Sequence, residues 1–204
     1  MRIAAQIISI LFHPLLLATF LVAIVGHYFP IMLEISPGNF KIILGFVFSF
    51  TFVLPVINLI MFRYFGTISS YTLNERTERL VPFVAIAIIY LVMIFLFYNK
   101  LPLSQNFNKL MTIVTALVVC SALITFFYKV SIHSLAAGGM IGILLPLNKA
   151  VENNALLWPT AVILVIAGLI MSARLYLNAH TFNEVFMGGL AGFLIGFFGM
   201  LIMY

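Results

Sequence analysis

Seven apolar stretches interrupt an otherwise polar-poor pattern along the chain, near residues 4–29, 41–64, 82–98, 109–128, 134–148, 157–175 and 185–204. A helix needs about 20 mainly apolar residues to cross the hydrocarbon core of a bilayer, and most of these runs approach or exceed that length. The fifth, "SLAAGGMIGILLPL", is short and rich in glycine, so it is expected to be tilted or packed closely against its neighbours. Strict alternation of apolar and polar positions is missing throughout, which argues against a transmembrane barrel. The predicted fold class is therefore all-α: a polytopic integral membrane helix bundle of six to seven transmembrane helices. No repeat, low-complexity tract or soluble domain interrupts it, so residues 1–204 read as one membrane-embedded unit.

The polar breaks between the runs sort into two sets. One contains "RYFGTISSYTLNERTER" (63–79), "KVSIH" (129–133) and "ARLYLNAHTFNE" (173–184). The other contains "PIMLEISPGNFK" (30–41), "NKLPLSQNFNK" (99–109) and "NKAVENN" (148–154). Two runs separate successive members of each set, so each set is expected on one side of the membrane. The first side then collects Arg76, Arg79, Lys129, Ser131, His133, Arg174, His180 and Glu184, whereas the second carries the scattered lysines Lys41, Lys100, Lys109 and Lys149.

Composition sharpens this picture. The chain is 64% hydrophobic and 7% charged, against about 25% charged in a soluble domain, so a soluble fold would lack polar residues to cover its surface. The net charge of +5 is spread over short loops without a basic cluster, which makes nucleic acid an unsuitable partner. Cys120 is the single cysteine, excluding an internal disulfide and a paired-cysteine metal site. The acids are Glu34, Glu75, Glu78, Glu152 and Glu184, with no aspartate, which disfavours enzymes that hold magnesium through paired aspartates. No metal and no cofactor are expected. The first 30 residues are too long and apolar, and lack the small-residue cleavage site, for a removable signal peptide.

Against that background the ionisable cluster stands out. Single Arg and Lys residues near span ends commonly snorkel to the interface, but intramembrane ionisable groups arriving together are costly and usually functional. His180 and Glu184 are four residues apart at the start of the last run and share a helix face. Glu184 is placed to accept from one ring nitrogen of His180, leaving the other as a nucleophile. His133 is a second imidazole suited to general-acid work, and arginines suit phosphate oxygens and the charge that develops in phosphoryl transfer. Two histidines, a carboxylate and arginines without aspartates point to metal-free phosphoryl transfer through a phosphohistidine. His13, which precedes Pro14, and His27 near the end of the first run are expected to be structural.

The order and spacing of these residues resemble the type 2 phosphatidic acid phosphatase family of membrane lipid phosphatases, whose motifs are K-x6-R-P, P-S-G-H and S-R-x5-H-x3-D. The third motif is matched by Arg174, His180 and Glu184, with "SA" before the arginine in place of a directly preceding serine. The second survives as "VSIH" with Ser131 and His133, Ile132 standing where the motif has glycine. The first keeps Arg79 near Pro82 in "NERTERLVP", but Thr72 occupies the place of the lysine. The resemblance covers about residues 76–192.

Carried onto these positions, it implies His180 as nucleophile, Glu184 as its orienter and His133 as the acid that protonates the leaving group. Arg79 and Arg174 would bind phosphate with help from Ser131, and Arg76 or Lys129 would stand in for the missing lysine. The expected activity is hydrolysis of a lipid phosphate or isoprenoid diphosphate, with membrane lipids as surroundings. Two alternatives stay open: a phosphotransferase that passes the phosphoryl group to a lipid or sugar hydroxyl, and a non-catalytic phospholipid-binding or transport protein. The family's usual location implies a bacterial inner membrane with the site facing the periplasm. The four lysines of the opposite side favour the same orientation once the four candidate phosphate ligands are discounted; the raw count of cations is six against four the other way.

Overall fold

The structure is a computed structural model that describes residues 2–71, 73, 76–150 and 154–204, apart from the side chains of Arg76 and Ala150. Among the described residues every regular element is helical: α1 (Arg2–Leu11), α2 (Pro14–Tyr28), α3 (Pro30–Leu33), α4 (Pro37–Phe48), α5 (Leu54–Tyr64), α6 (Arg76–Asn99), α7 (Gln105–Phe127), α8 (Ile132–Ala150), α9 (Leu157–Tyr176) and α10 (Phe182–Met203), with a π-turn at Ser49–Val53 joining α4 to α5. The all-α membrane bundle expected from the apolar pattern is what forms.

Six to seven spans are expected, and by length and hydropathy alone five to six helices qualify among the described residues. Five helical stretches are long and apolar enough to cross a bilayer, namely Pro37–Tyr64, Thr77–Asn99, Gln105–Phe127, Leu157–Tyr176 and Phe182–Met203, and a sixth results if the bent pair α1–α2 is one span. The first predicted run, 4–29, is thus broken, with a 58° bend between α1 and α2. Pro14 disfavours helical geometry at the residue before it, and His13 accordingly takes an extended conformation, with φ −61° and ψ 137°. His13 then caps α2, its Nδ1 accepting from the Leu15 N–H at 3.3 Å. This is the kink role expected of it. The fifth predicted run, within α8, is not among the helices that meet the length and hydropathy test.

A second proline shapes the middle of the bundle. Pro55 has no N–H to return to the preceding turn, and the helix widens into the π-turn just before it. A backbone carbonyl left without a partner inside a membrane is costly. The Tyr90 hydroxyl of α6 donates to the Thr51 carbonyl at 3.3 Å and supplies that partner. The Thr19 and Thr51 hydroxyls, 3.1 Å apart, tie α2 to the same turn.

The closest helix pair is α8 with α10, and small residues make it so. A Cβ on Gly192 would overlap the Leu135 carbonyl oxygen, and one on Gly188 would sit 2.6 Å from the Ser131 carbonyl oxygen. Along this seam Ser131 meets Gly188, Leu135 meets Gly192 and Gly139 meets Gly196. The two numberings rise together, so α8 and α10 run parallel for more than two turns, and their first residues lie at the same end of the bundle. Lacking a hydrophobic drive between helices in lipid, such backbone approach is the usual source of association. At the opposite end Ser104 caps α7 and donates to the Leu33 carbonyl at 2.6 Å, and the Tyr204 hydroxyl donates to the Asn106 carbonyl.

Candidate active site

The stretch between α9 and α10 turns sharply, with Asn178 in the left-handed region at φ 52°, and delivers His180 immediately before the N-cap of α10, Thr181. Thr181 and Glu184 form a capping box: the threonine Oγ1 accepts from the Glu184 N–H and Glu184 Oε2 accepts from the Thr181 N–H, both at 3.4 Å. The box fixes the carboxylate, and the same Oε2 lies 2.6 Å from His180 Nδ1. His180 therefore donates from Nδ1 and keeps its lone pair on Nε2. Burial is the main influence on this imidazole and lowers its proton affinity; the Glu184 bond opposes that, and the Arg79 and Arg174 charges add to it.

His133 sits in the first turn of α8, at the same end as His180 because α8 and α10 run parallel. Its Nε2 is 3.1 Å from the Ser9 carbonyl oxygen of α1, so Nε2–H donates there and Nδ1 is left for other work. The His13 ring meets it edge to face with centroids 5.6 Å apart. Arg79, buried near the start of α6, is anchored by donating from Nε to the Leu73 carbonyl at 2.6 Å and from Nη1 to the Val130 carbonyl at 3.3 Å. Arg174, in the last turn of α9, has a buried Nε with no hydrogen-bond partner among the described residues. Arg79, His133, Arg174 and His180 line one cavity of about 380 Å³, together with His13 and Ser9.

The remaining candidates fall elsewhere. Ser131 is fully buried and does not line the cavity; its hydroxyl accepts from the Ser134 hydroxyl at 2.9 Å, and its N–H donates to the Glu184 carbonyl at 3.1 Å. It joins the start of α8 to the start of α10 through the backbone. Lys129 is half-buried and also outside the cavity lining. The Arg76 side chain lies outside the described residues. Ser9 and His13 were not foreseen as cavity residues, since they stand more than a hundred positions before His133. The signal available was a polar "HP" pair inside an apolar run. Among the described residues no group of three or more His, Cys, Asp or Glu side chains is placed to hold a metal ion.

Residues 109–204 match the family model of the PAP2 superfamily. Over those residues, just under half of its length, the chain is similar to the PAP2 superfamily. The matched stretch contains His133, Arg174, His180 and Glu184, while Arg79 lies before it. No curated protein and no solved structure matches the chain. PAP2 superfamily members are phosphatases, which places this protein's chemistry with phosphoric ester hydrolysis in general, here in a helix bundle built for a membrane.

Proposed function

We propose that this protein is a metal-independent membrane lipid phosphatase working through a phosphohistidine, with residues 1–204 acting as one membrane-embedded unit and the motif-bearing part at about 76–192. The observation that carries the reading is the 2.6 Å His180–Glu184 pair set beside His133 and Arg174 on one cavity.

His180 Nε2 attacks phosphorus in line, the bond from phosphorus to the ester oxygen breaks, and protonated His133 gives its Nδ1 proton to the departing alkoxide or phosphate. Water then attacks the phosphohistidine, neutral His133 takes its proton, and inorganic phosphate leaves with His180 restored. Glu184 holds the Nδ1 tautomer and offsets the positive charge that the ring carries in the intermediate. The Arg174 Nε–H, buried without a partner among the described residues, is a donor suited to a phosphoryl oxygen, and Arg79 adds fixed positive charge at the cavity wall.

The test uses purified protein and a radiolabelled lipid phosphate in excess EDTA. Phosphate release and an acid-labile phosphoenzyme are expected, and both should vanish in His180→Ala. His133→Ala should still form phosphoenzyme from a substrate with a good leaving group and then stall. Equal phosphate release by wild type and His180→Ala removes the nucleophile assignment, and activity that needs added magnesium removes the metal-free mechanism. Added alcohols, followed by product analysis, separate hydrolysis from transfer.

A further inference from the structure

The cavity that holds the phosphate chemistry is deeper than a phosphate requires. On α6 its lining runs from Arg79 to Tyr90 and on α8 from His133 to Ile143, distances of about 15 Å at the helical rise of about 1.5 Å per residue. On α7, which runs the other way, the lining goes from Ser121 to Val114. Its upper end carries the cations and imidazoles. Its shaft is walled by Leu17 and Leu21 of α2, Phe83 and Ile86 of α6, and Val114 and Leu117 of α7.

Nothing in the shaft calls for a polar occupant. The Ser121 hydroxyl donates to the Val118 carbonyl at 2.7 Å, and the Tyr90 hydroxyl is engaged with Thr51. Water needs two or more polar partners to stay in a cavity; among the described residues the unpartnered hydroxyl on this cavity, Ser9 Oγ, belongs to the residue that meets His133 at the upper end and not to the shaft. An apolar chain meets no such penalty.

We infer that the shaft is a tail pocket, and that the substrate is a lipid phosphate bearing a single apolar chain rather than two. This rests on the phosphatase reading and specifies its substrate. An extended hydrocarbon advances about 1.25 Å per carbon for a C–C bond near 1.52 Å and an angle near 111°; the depth of about 15 Å starts at the phosphate end, and less about 5 Å for the phosphate it takes roughly eight carbons. The volume agrees. At about 30 Å³ for a group the size of a water molecule, 380 Å³ holds about a dozen such groups, the phosphate's own atoms among them, which leaves roughly eight for one chain. The shaft has room for one chain, so the second chain of a diacyl lipid would be left outside it. The phosphate stays at the upper end against Arg174 and His180 while the tail descends between α2, α6, α7 and α8.

Wild-type protein in mixed micelles is given octyl phosphate and dioctanoyl glycerol phosphate at equal surface mole fraction, with butyl phosphate in bulk solution as a tail-free reporter of the phosphate site. The single-chain lipid should be hydrolysed with a kcat/KM about tenfold or more above the diacyl one, the scale of two methylenes or so kept in the shaft. Val114→Phe, filling the shaft from α7, should lower octyl phosphate turnover by about tenfold and leave butyl phosphate within about twofold. Met140→Phe fills it from α8 and should do the same, covering the case in which the first variant fails to fold. Equal use of the two lipids, or filled variants that keep full octyl phosphate turnover, overturns the tail pocket while butyl phosphate hydrolysis leaves the phosphatase standing. Absence of phosphate release from all three esters overturns both.

Discussion

Glu184 offers a test in which catalysis and stability predict opposite orders. Its side chain is 15% exposed and that of His180 3%, so the pair is well shielded from water. In Glu184→Asp the carboxylate draws back by one methylene, from 2.6 Å to about 3.9 Å from Nδ1, taking a C–C bond of about 1.5 Å less its tilt. At an effective dielectric near 20 the attraction for a cationic ring falls from about 6 to about 4 kcal/mol, a loss of about 2 kcal/mol or roughly thirtyfold in rate. Glu184→Gln removes the charge, and one of its two amide orientations donates to Nδ1 and moves the proton onto the attacking nitrogen. Losses of about 10³ to 10⁴ are the scale for amide replacement of a carboxylate that orients a catalytic imidazole. Turnover should therefore rank wild type, then Asp, then Gln.

Helix capping ranks the two the other way. Gln is accepted at this position of a capping box, whereas Asp is too short to reach the Thr181 N–H. Glu184→Asp should accordingly be the less stable variant, by about 0.5–1 kcal/mol. Steady-state phosphate release and thermal unfolding in the same detergent measure the two orders. If activity follows the stability order, with Asp worse than Gln, then position 184 supplies reach and a helix cap, and its role as orienter of a nucleophile is refuted.

Three further outcomes follow from the same geometry. His180 is held neutral down to about pH 4 rather than 6.5, chiefly by burial. After division by the substrate's own ionisation, whose second pKa is about 6, kcat/KM should rise on acidification to about pH 5, because burial lowers the pKa of the acid His133 to about 3 and its protonated fraction grows while His180 stays neutral; an acid limb at or above pH 6.5 would contradict the assignment. The same lowered pKa means that the unfolded chain binds a proton that the folded one refuses, so stability should fall as pH drops from 6.5 through about 4. Gly192→Ala should cost about 1–3 kcal/mol by forcing α8 from α10 and should reduce turnover as His133 moves relative to His180; Gly168→Ala, with nothing within 4 Å of its added carbon, is the neutral control, and equal melting temperatures would refute the packing account. In a Cys120→Ala background, cysteine at exposed Asn178 should react with an impermeant reagent on intact cells and cysteine at exposed Lys100 only after lysis; the reverse pattern would turn the site toward the cytoplasm.

The sequence by itself determined the solvent and the building material of this protein. With 64% hydrophobic residues and long apolar runs, backbone groups can be satisfied in a bilayer only inside helices, because strict barrel alternation is missing. It also determined the His180–Glu184 pair, though not through the expected shared helix face: His180 lies just before the N-cap, and the local Thr181–Glu184 capping box turns the carboxylate back to it. What it could not carry was distance between remote segments. The break at His13 follows from local proline chemistry, but its consequence does not: the bend sets Ser9 against His133 and brings His13 onto the cavity. Ser131 reads as a phosphate donor in its motif, yet packing of α8 on Gly188 gives its hydroxyl to Ser134 and its N–H to the Glu184 carbonyl. The tail pocket is invisible in any one helix, because each contributes only the few apolar side chains that happen to face inward, and a void exists only where four such faces meet without filling the space between them.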